Sequence, residues 1–267
     1  MAIITLTTDF GVEDEYVGVM KGVILSIHPD ATIIDITHYI LPQDLIEAAY
    51  TIKNSYKYFP VGTVHIVVVD PGVGSKRSII AIQKSGHFFI APDNGVLSLL
   101  FDDGDVESIV QVKNSQYFLK SVSQTFHGRD IFAPVGAHVS LGVRINDLGD
   151  TVEKGNVVHL NIKEPIRSAN EILGEVVSID RFGNLITNIN SEHIAKAFPV
   201  NADTPVEISI REKKITGLSH SYENSGYHEP LAIIGSRGAI EIAVNKGNAQ
   251  QYFMAEKGDI IKVIIKN

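Results

Sequence analysis

The chain has 267 residues, of which 44% are hydrophobic and 20% charged, and its formal net charge is −8. These values predict a globular protein long enough for two domains. The acidic balance disfavours a nucleic-acid backbone as the main partner, because that role needs clustered Lys and Arg. The absence of cysteine excludes disulfides and thiolate metal sites, and no apolar run reaches the roughly 18 residues of a membrane span. We therefore expect a cytoplasmic protein that binds small molecules and neither nucleic acid nor membrane.

The first part of the chain alternates strand and helix patterns. Apolar, β-branched runs predict strands over residues 3–6, 32–36 and 63–69. Between them, apolar residues recur at helical spacing over residues 16–28 and again over residues 45–59. This order favours parallel pairing with helical crossovers. Residues 1–164 are therefore predicted to form a layered α/β domain with a mostly parallel sheet. A predicted hairpin turn at residues 84–86 makes that sheet a mixed one. A further helix is predicted over residues 131–141, capped by Gly142.

The remainder of the chain has a different pattern. Short apolar stretches are separated by Gly, Asn and Asp, and no long helical period is present; the stretches are residues 174–179, 185–189, 206–210, 231–234, 240–244 and 260–265. Many short strands with turn residues between them are typical of a barrel or sandwich. Residues 165–267 are therefore predicted to form a smaller, all-β domain, either a barrel or a sandwich.

Three aspartates, Asp9, Asp35 and Asp70, each follow an apolar strand run. The carboxyl ends of parallel strands form the ligand crevice of an open α/β sheet, so this row predicts a binding site. Asp70 opens Pro71-Gly72-Val73-Gly74, whose glycines let the backbone approach a ligand, and Arg77 follows. One interpretation places a carboxylate and a guanidinium in one pocket; the other is a turn followed by a surface charge.

His127 lies in a polar segment directly before the predicted third helix. Helix amides and an imidazole there could face a ligand together, although a lone histidine is more often structural. Asp9 suits the two hydroxyls of a ribose, or it could hold a divalent metal with Asp35. A metal is not favoured, since no histidine pair has ligand spacing. Gly74-Ser75-Lys76 lacks the Walker spacing, which disfavours a phosphate loop.

Two polar segments interrupt the predicted strands of the second domain. The first is Asp180-Arg181-Phe182-Gly183-Asn184, in which Phe182 suits stacking on a flat base and Asn184 has the donor and acceptor that match an adenine edge. A plain hairpin bend is its structural alternative. In the second, Ser236 and Arg237 offer a hydroxyl and a fork-shaped cation for a carboxylate, or simply form a turn.

Five segments together resemble the S-adenosylmethionine hydroxide adenosyltransferases, the hydrolytic relatives of fluorinating and chlorinating enzymes that attack the same substrate. The segments are Thr7–Gly11, Val69–Arg77, Phe126–Asp130, Ile179–Asn184 and Gly235–Gly238. They occur in order across both predicted domains, so the resemblance covers nearly the whole chain. It implies an N-terminal α/β domain, a C-terminal β-barrel, and a homotrimer whose sites lie between the first domain of one subunit and the second domain of its neighbour.

The resemblance also implies a role for each candidate residue. Asp70, Arg77 and His127 would form a set that handles the attacking water. The substrate would be bound by Asp9 at the ribose, Phe182 and Asn184 at the adenine, Asp180 at the amino group, and Ser236 and Arg237 at the amino-acid end. The implied substrate is S-adenosyl-L-methionine (SAM), the product is adenosine, and neither a metal nor another cofactor is implied.

The implied reaction is hydrolysis of SAM at C5′ to adenosine and L-methionine. The sulfonium is already a good leaving group, so catalysis requires water placed in line with C5′ in a dry pocket. Asp70 and His127 are both open as the base. The alternatives are a SAM-dependent halogenase, which the Asp-Arg-His set disfavours, a non-catalytic module that binds adenosine or SAM, and a metal-dependent phosphohydrolase.

Overall fold

The computed structural model describes residues 2–102, 104, 106–197 and 206–265. The chain divides into two compact units, Met1–Asn161 and Ile162–Asn267. The sequence predicts a domain boundary after residue 164, and the first compact unit ends at Asn161. Each unit has its own β-sheet and its own hydrophobic core.

The first unit is a mixed α/β structure. Its strands are β1 (Ile3–Thr8), β2 (Thr32–Thr37), β3 (Val64–Val68), β4 (Ile79–Lys84), β5 (His87–Pro92), β6 (Ser108–Val112) and β7 (Gly149–Thr151). Its helices are α1 (Tyr16–Ile27), α2 (Leu45–Ser55) and α3 (Ala133–Ser140). A 3-10 turn, Tyr56–Tyr58, continues α2, and a π-helical turn, Gly128–Phe132, leads into α3. The strands form one sheet in the order β2-β1-β3-β5-β4-β6-β7.

This sheet is only partly parallel, so the prediction of a mostly parallel sheet is wrong. β1 pairs in parallel with β2 and β3, and β3 with β5. β4 pairs antiparallel with β5 and β6, and β6 with β7. The two-residue turn of Ser85 and Gly86, with φ of 50° and 73°, joins β4 to β5. A turn this short can connect only antiparallel strands, and it is the hairpin that the sequence predicts.

Helices pack on both faces of the first sheet. Every residue of β3 is buried. Ile66 and Val68 contact a core that includes residues of α1 and α3, whereas Val67 contacts a core that includes residues of α2. Because strand side chains alternate between the two faces, a strand covered on both sides is apolar throughout. The parallel register of Thr8 with Val68 brings the carboxyl ends of β1 and β3 to the same sheet edge.

The second unit contains an eight-stranded, nearly barrel-shaped sheet. Its strands are β8 (Ile166–Arg167), β9 (Glu171–Ile179), β10 (Leu185–Asn190), β11 (Val206–Ile210), β12 (Lys213–Thr216), β13 (Pro230–Ile234), β14 (Ala239–Val244) and β15 (Ile260–Ile265). The order is β12-β11-β15-β9-β10-β14-β13, with β8 paired to β9. A bridge between Ser219 and Ile233 brings the segment after β12 to β13, at the opposite end of this order.

The prediction that the second unit is all-β is wrong. It contains two short helices, α4 (Ser191–Ala197) and α5 (Ala249–Phe253). Neither exceeds two turns, which is too short for a helical period to be visible in the sequence. Throughout the described ranges, no helix combines the length and the apolar character needed to cross a bilayer.

Candidate functional site

Asp70 and Arg77 form a buried ion pair at the carboxyl edge of the first sheet. Asp70 follows β3 by two residues and Arg77 precedes β4 by two residues. The Arg77 Nε atom lies 2.8 Å from each Asp70 carboxylate oxygen, and Nη2 donates a further bond to Oδ2. The Arg77 side chain is only 10% exposed and that of Asp70 only 5%. A two-point pair of this kind fixes the orientation of both groups as well as their separation.

His127 joins this pair through the same guanidinium. Its Nδ1 atom lies 2.8 Å from Arg77 Nη2 and accepts the bond, because a guanidinium only donates. Burial and then the positive charge of Arg77 lower the pKa of His127 below its ordinary value, against smaller opposing effects of Asp70, Asp130 and a hydrogen bond to the Ser123 backbone. The imidazole is therefore neutral near neutral pH, with Nδ1 as the unprotonated nitrogen.

Asp130 holds the segment that carries His127. Its carboxylate is 1% exposed and accepts bonds from Arg129 Nε at 2.6 Å and from the Ser123 amide at 2.8 Å. Burial alone would raise the pKa of Asp130, but these hydrogen bonds outweigh burial and lower it. The Asp130 carbonyl also accepts from the Leu119 amide at 2.9 Å. The carboxylate and the carbonyl of Asp130 thus tie residues 119–130 into one loop.

Gly74 allows the two loops of the cluster to approach each other. Its φ is +76°, and a Cβ atom at this position would collide with the carbonyl oxygen of Gln124. Gln124 precedes His127 by three residues. Glycine is therefore required here for both conformation and space, and it lets the loop before Arg77 pack against the loop before His127.

Asp9 lies at the same sheet edge as Asp70. It directly follows β1, and its Oδ2 atom accepts a bond from the Gln43 amide at 2.9 Å. Beside it, the Phe10 and Tyr16 rings are 5.7 Å apart, and the Tyr16 and Phe126 rings 5.0 Å. The cluster therefore has a carboxylate and aromatic surface near its edge, although no described hydrogen bond joins Asp9 to Arg77 or His127.

Asp35 does not lie at this edge, which corrects the expectation that it ends a strand. It is inside β2, paired with Leu6. Its carboxylate contacts Lys21 at 2.6 Å and His38 at 3.1 Å. Burial would raise the pKa of Asp35, but these two partners lower it. Asp35 is therefore a structural ion-pair residue, and among the described residues no group of three or more His, Cys, Asp or Glu is arranged to hold a metal ion.

In the second unit, Asp180 organises the turn between β9 and β10. Its Oδ1 accepts from the amides of Phe182 and Asn184, each at 2.9 Å, and its Oδ2 accepts from Asn184 Nδ2 at 3.0 Å. The Phe182 ring is 76% exposed, whereas Asn184 is 8% exposed. The turn therefore exposes an aromatic ring and buries an amide.

Ser236 and Arg237 lie in the turn between β13 and β14, and both are exposed. Arg237 Nη1 donates to Ser178 Oγ at 3.4 Å. The sequence analysis did not find one further contact in this unit. The Tyr222 hydroxyl donates a hydrogen bond to Glu241 Oε1 at 2.6 Å. In the sequence, Glu241 is an ordinary polar residue of a predicted strand and Tyr222 lies in a loop. No regular spacing of residues connects the two, so the sequence does not indicate their contact.

The chain is similar to known proteins along both units. Models of the SAM hydroxide adenosyltransferase N-terminal and C-terminal domains match residues 4–149 and 174–262. A relative in Methanocaldococcus jannaschii, named (R)-S-adenosyl-L-methionine hydrolase, is 36% identical over 98% of this chain and 95% of its own. The crystal structure of an uncharacterized conserved protein from Thermotoga maritima aligns with a TM-score of 0.91 at 36% identity, covering 99% of this chain and 100% of that one. A fluorinase of an Actinoplanes species is 26% identical over 91% of both chains.

Proposed function

This chain belongs to the SAM hydroxide adenosyltransferase family, and from that premise we propose that it hydrolyses SAM at C5′ to adenosine and L-methionine. The observation that carries the proposal is the partly buried cluster in which one guanidinium binds both Asp70 and His127. The name of the Methanocaldococcus jannaschii relative supports the choice of substrate.

The chemistry needs no acid at the leaving group. The water oxygen forms a bond to C5′ while the C5′–sulfur bond breaks. The electron pair of the broken bond stays on sulfur, which becomes the neutral thioether of methionine. The attacking water loses one proton, which passes to Asp70 or His127. The enzyme therefore has to hold water in line with C5′ and exclude other nucleophiles, and positioning of this kind supplies much of a rate enhancement.

We propose that Asp70, Arg77 and His127 orient this water. Water, with a pKa of about 15.7, is far less acidic than an aspartic acid at about 3.9, so full deprotonation before attack is unfavourable. The Asp70 oxygens and His127 Nδ1 already accept hydrogen bonds from Arg77. The proton therefore leaves late, while the guanidinium stabilises the hydroxide-like oxygen.

The substrate contacts follow the roles that the family resemblance implies. Asp9 would bind the ribose hydroxyls. The exposed Phe182 ring would stack on adenine and Asn184 would bind its edge. Asp180, Ser236 and Arg237 would bind the amino-acid end. The reaction requires neither a metal nor another cofactor.

A homotrimer with sites at its subunit interfaces is also part of this proposal. The molar mass of the purified particle, measured by light scattering after size exclusion, tests it. A mass close to three chains is expected, and a monomer at the concentration used for turnover would contradict it.

Chromatography of the products tests the reaction. Purified protein incubated with SAM should give adenosine and L-methionine in equal amounts, and a chelator should not change the rate. Folded protein that leaves SAM intact would contradict the proposal and, with tight adenosine binding, would indicate a binding module. The fluorinase relative favours a halogenase as the second candidate. A halogenated nucleoside formed with added chloride or fluoride would establish that candidate instead.

A further inference from the structure

The segment that joins β2 to α2 holds the loop that carries Asp9 at two points. The His38 carbonyl accepts a hydrogen bond from the Gly11 amide at 2.8 Å. The Gln43 amide donates to Asp9 Oδ2 at 2.9 Å, and Asp9 Oδ1 accepts no hydrogen bond within the part of the chain that the structure describes. Residues 9–15, which follow β1, form neither helix nor strand. The direction of the Asp9 carboxylate therefore depends on bonds from this other segment.

The His38 imidazole restrains the same loop through a threonine hydroxyl. The side chain is only 3% exposed, and its Nδ1 atom lies 2.9 Å from Thr8 Oγ1. The same hydroxyl oxygen accepts a hydrogen bond from the Phe10 amide at 3.2 Å. Thr8 and Phe10 are the chain neighbours of Asp9. A histidine bonded to this hydroxyl therefore restrains the backbone on both sides of the carboxylate.

The ion pair of Asp35 and Lys21 orients the imidazole. His38 Nε2 lies 3.1 Å from Asp35 Oδ1, and Oδ2 of the same carboxylate accepts a hydrogen bond from Lys21 Nζ at 2.6 Å. An ionised carboxylate only accepts, so the ring nitrogen that faces it carries the proton. In the neutral ring Nδ1 is then an acceptor, and the Thr8 hydroxyl donates to it. Asp35 thus selects the tautomer of His38 that can accept the Thr8 proton.

These contacts lead from an exposed ion pair to Asp9, to which the family resemblance assigns the ribose hydroxyls. Hydrogen bonds weaken steeply as their angle departs from linear, so a carboxylate binds two neighbouring hydroxyls only in a narrow range of directions. Resting on the proposed function, we propose that His38, oriented by Asp35, is a positioning residue that directs Asp9 at the ribose hydroxyls and so sets the preference for a ribonucleoside. Its ring is buried against Thr8, so it acts through Asp9 rather than on the ligand.

Calorimetry with adenosine and with 2′,3′-dideoxyadenosine tests this role in the full chain. The two ligands differ only in the ribose hydroxyls, and neither has a sulfonium, so turnover does not interfere. Wild-type protein should prefer adenosine about 10- to 100-fold, the range for a lost hydrogen bond to a charged group. His38→Gln reaches the Nε2 position but removes the acceptor at Nδ1. It should reduce this preference at least about threefold by weakening adenosine binding, and it should change dideoxyadenosine binding less than about twofold.

Two variants control for the loss of the ring. The shorter amide of His38→Asn can occupy the Nδ1 position and accept from Thr8, so this variant should retain more of the preference than His38→Gln. His28→Gln is the matched control, because His28 Nδ1 also lies 2.7 Å from a hydroxyl, that of Ser140, but at the C-terminal end of α1. It should leave both affinities within about twofold of the wild type.

Asp9→Asn tests whether the effect passes through the carboxylate. If it does, adding His38→Gln to Asp9→Asn should change the preference less than about twofold further. Asp35→Asn leaves the buried ring in place and should lower the preference in the same direction as His38→Gln; an unchanged preference would overturn the orienting role of Asp35.

Equal losses for both ligands in His38→Gln would show a merely structural role and overturn the proposal. A wild-type preference in His38→Gln, or full additivity in the double variant, would also overturn it. The reaction is judged separately, because wild-type protein that prefers adenosine yet forms none from SAM would refute only the proposed hydrolysis.

Discussion

Arg77→Lys is the sharpest test of the cluster of Asp70, Arg77 and His127. It keeps the positive charge but removes the planar guanidinium, which donates hydrogen bonds from several nitrogens. In the native protein, Arg77 contacts both Asp70 oxygens through Nε at 2.8 Å and His127 Nδ1 through Nη2 at 2.8 Å. A single ammonium cannot span both partners, so at least one bond to a charged group or to the imidazole is lost. Such a bond contributes about 1.5–3 kcal/mol, which corresponds to about 10- to 100-fold in rate if it acts in the transition state.

The assay is steady-state turnover of SAM together with calorimetric adenosine affinity. Turnover should fall by at least that factor, whereas adenosine affinity should stay within about threefold, because the cluster handles water rather than the nucleoside. Arg144→Lys is the matched control: Arg144 also forms a two-point pair with an aspartate, Asp147, but its side chain is 81% exposed. It should leave turnover unchanged. Native turnover by Arg77→Lys, or equal losses of turnover and adenosine affinity, would refute the reasoning.

Three further results are expected. Burial and the neighbouring guanidinium lower the pKa of His127, so the acid limb of the pH profile of kcat/KM should have its midpoint below the free histidine value of about 6.5. His127→Asn should remove this limb, and a midpoint above about 6.5 would contradict the assignment. Gly74→Ala should lower both turnover and the urea midpoint more than Gly142→Ala, which has positive φ but open space; equal losses would show backbone strain alone. Burial and the charge of His87 lower the pKa of His65 to about 3, so between pH 7 and 5 the unfolded chain binds a proton that the folded chain does not. Stability should therefore fall by about 2 kcal/mol more in the wild type than in His65→Gln, and parallel urea curves would contradict this.

The pattern of apolar residues along the sequence predicts those strands and helices in which burial is regular. The run through Val64–Val68 has the composition of a fully buried strand, and the structure confirms it. β6 and β7 were not predicted; β7 has only three residues, too few for an alternating pattern to be visible. The third helix begins at Ala133 rather than residue 131, since Gly128–Phe132 winds as a π-turn in which Asp130 is committed to the loop before it. A tertiary hydrogen bond of this kind has no period in the sequence.

The candidate site divides in the same way. Asp70 and Arg77 are seven residues apart across one strand end, so the loop length alone brings them together. His127 lies fifty residues beyond Arg77, and only the packing of two loops at Gly74 brings it into contact. Glu241 and Tyr222 were not found, because the turn at Gly235 and a loop without regular structure decide their contact.

The most direct measurement is turnover of SAM in water enriched in oxygen-18, with both products examined by mass spectrometry. Attack of water on C5′ predicts adenosine that is heavier by about two mass units at its 5′-hydroxyl, alongside unlabelled methionine. Unlabelled adenosine, a halogenated nucleoside in place of adenosine, or label in the methionine would contradict a water molecule delivered to C5′ by Asp70, Arg77 and His127.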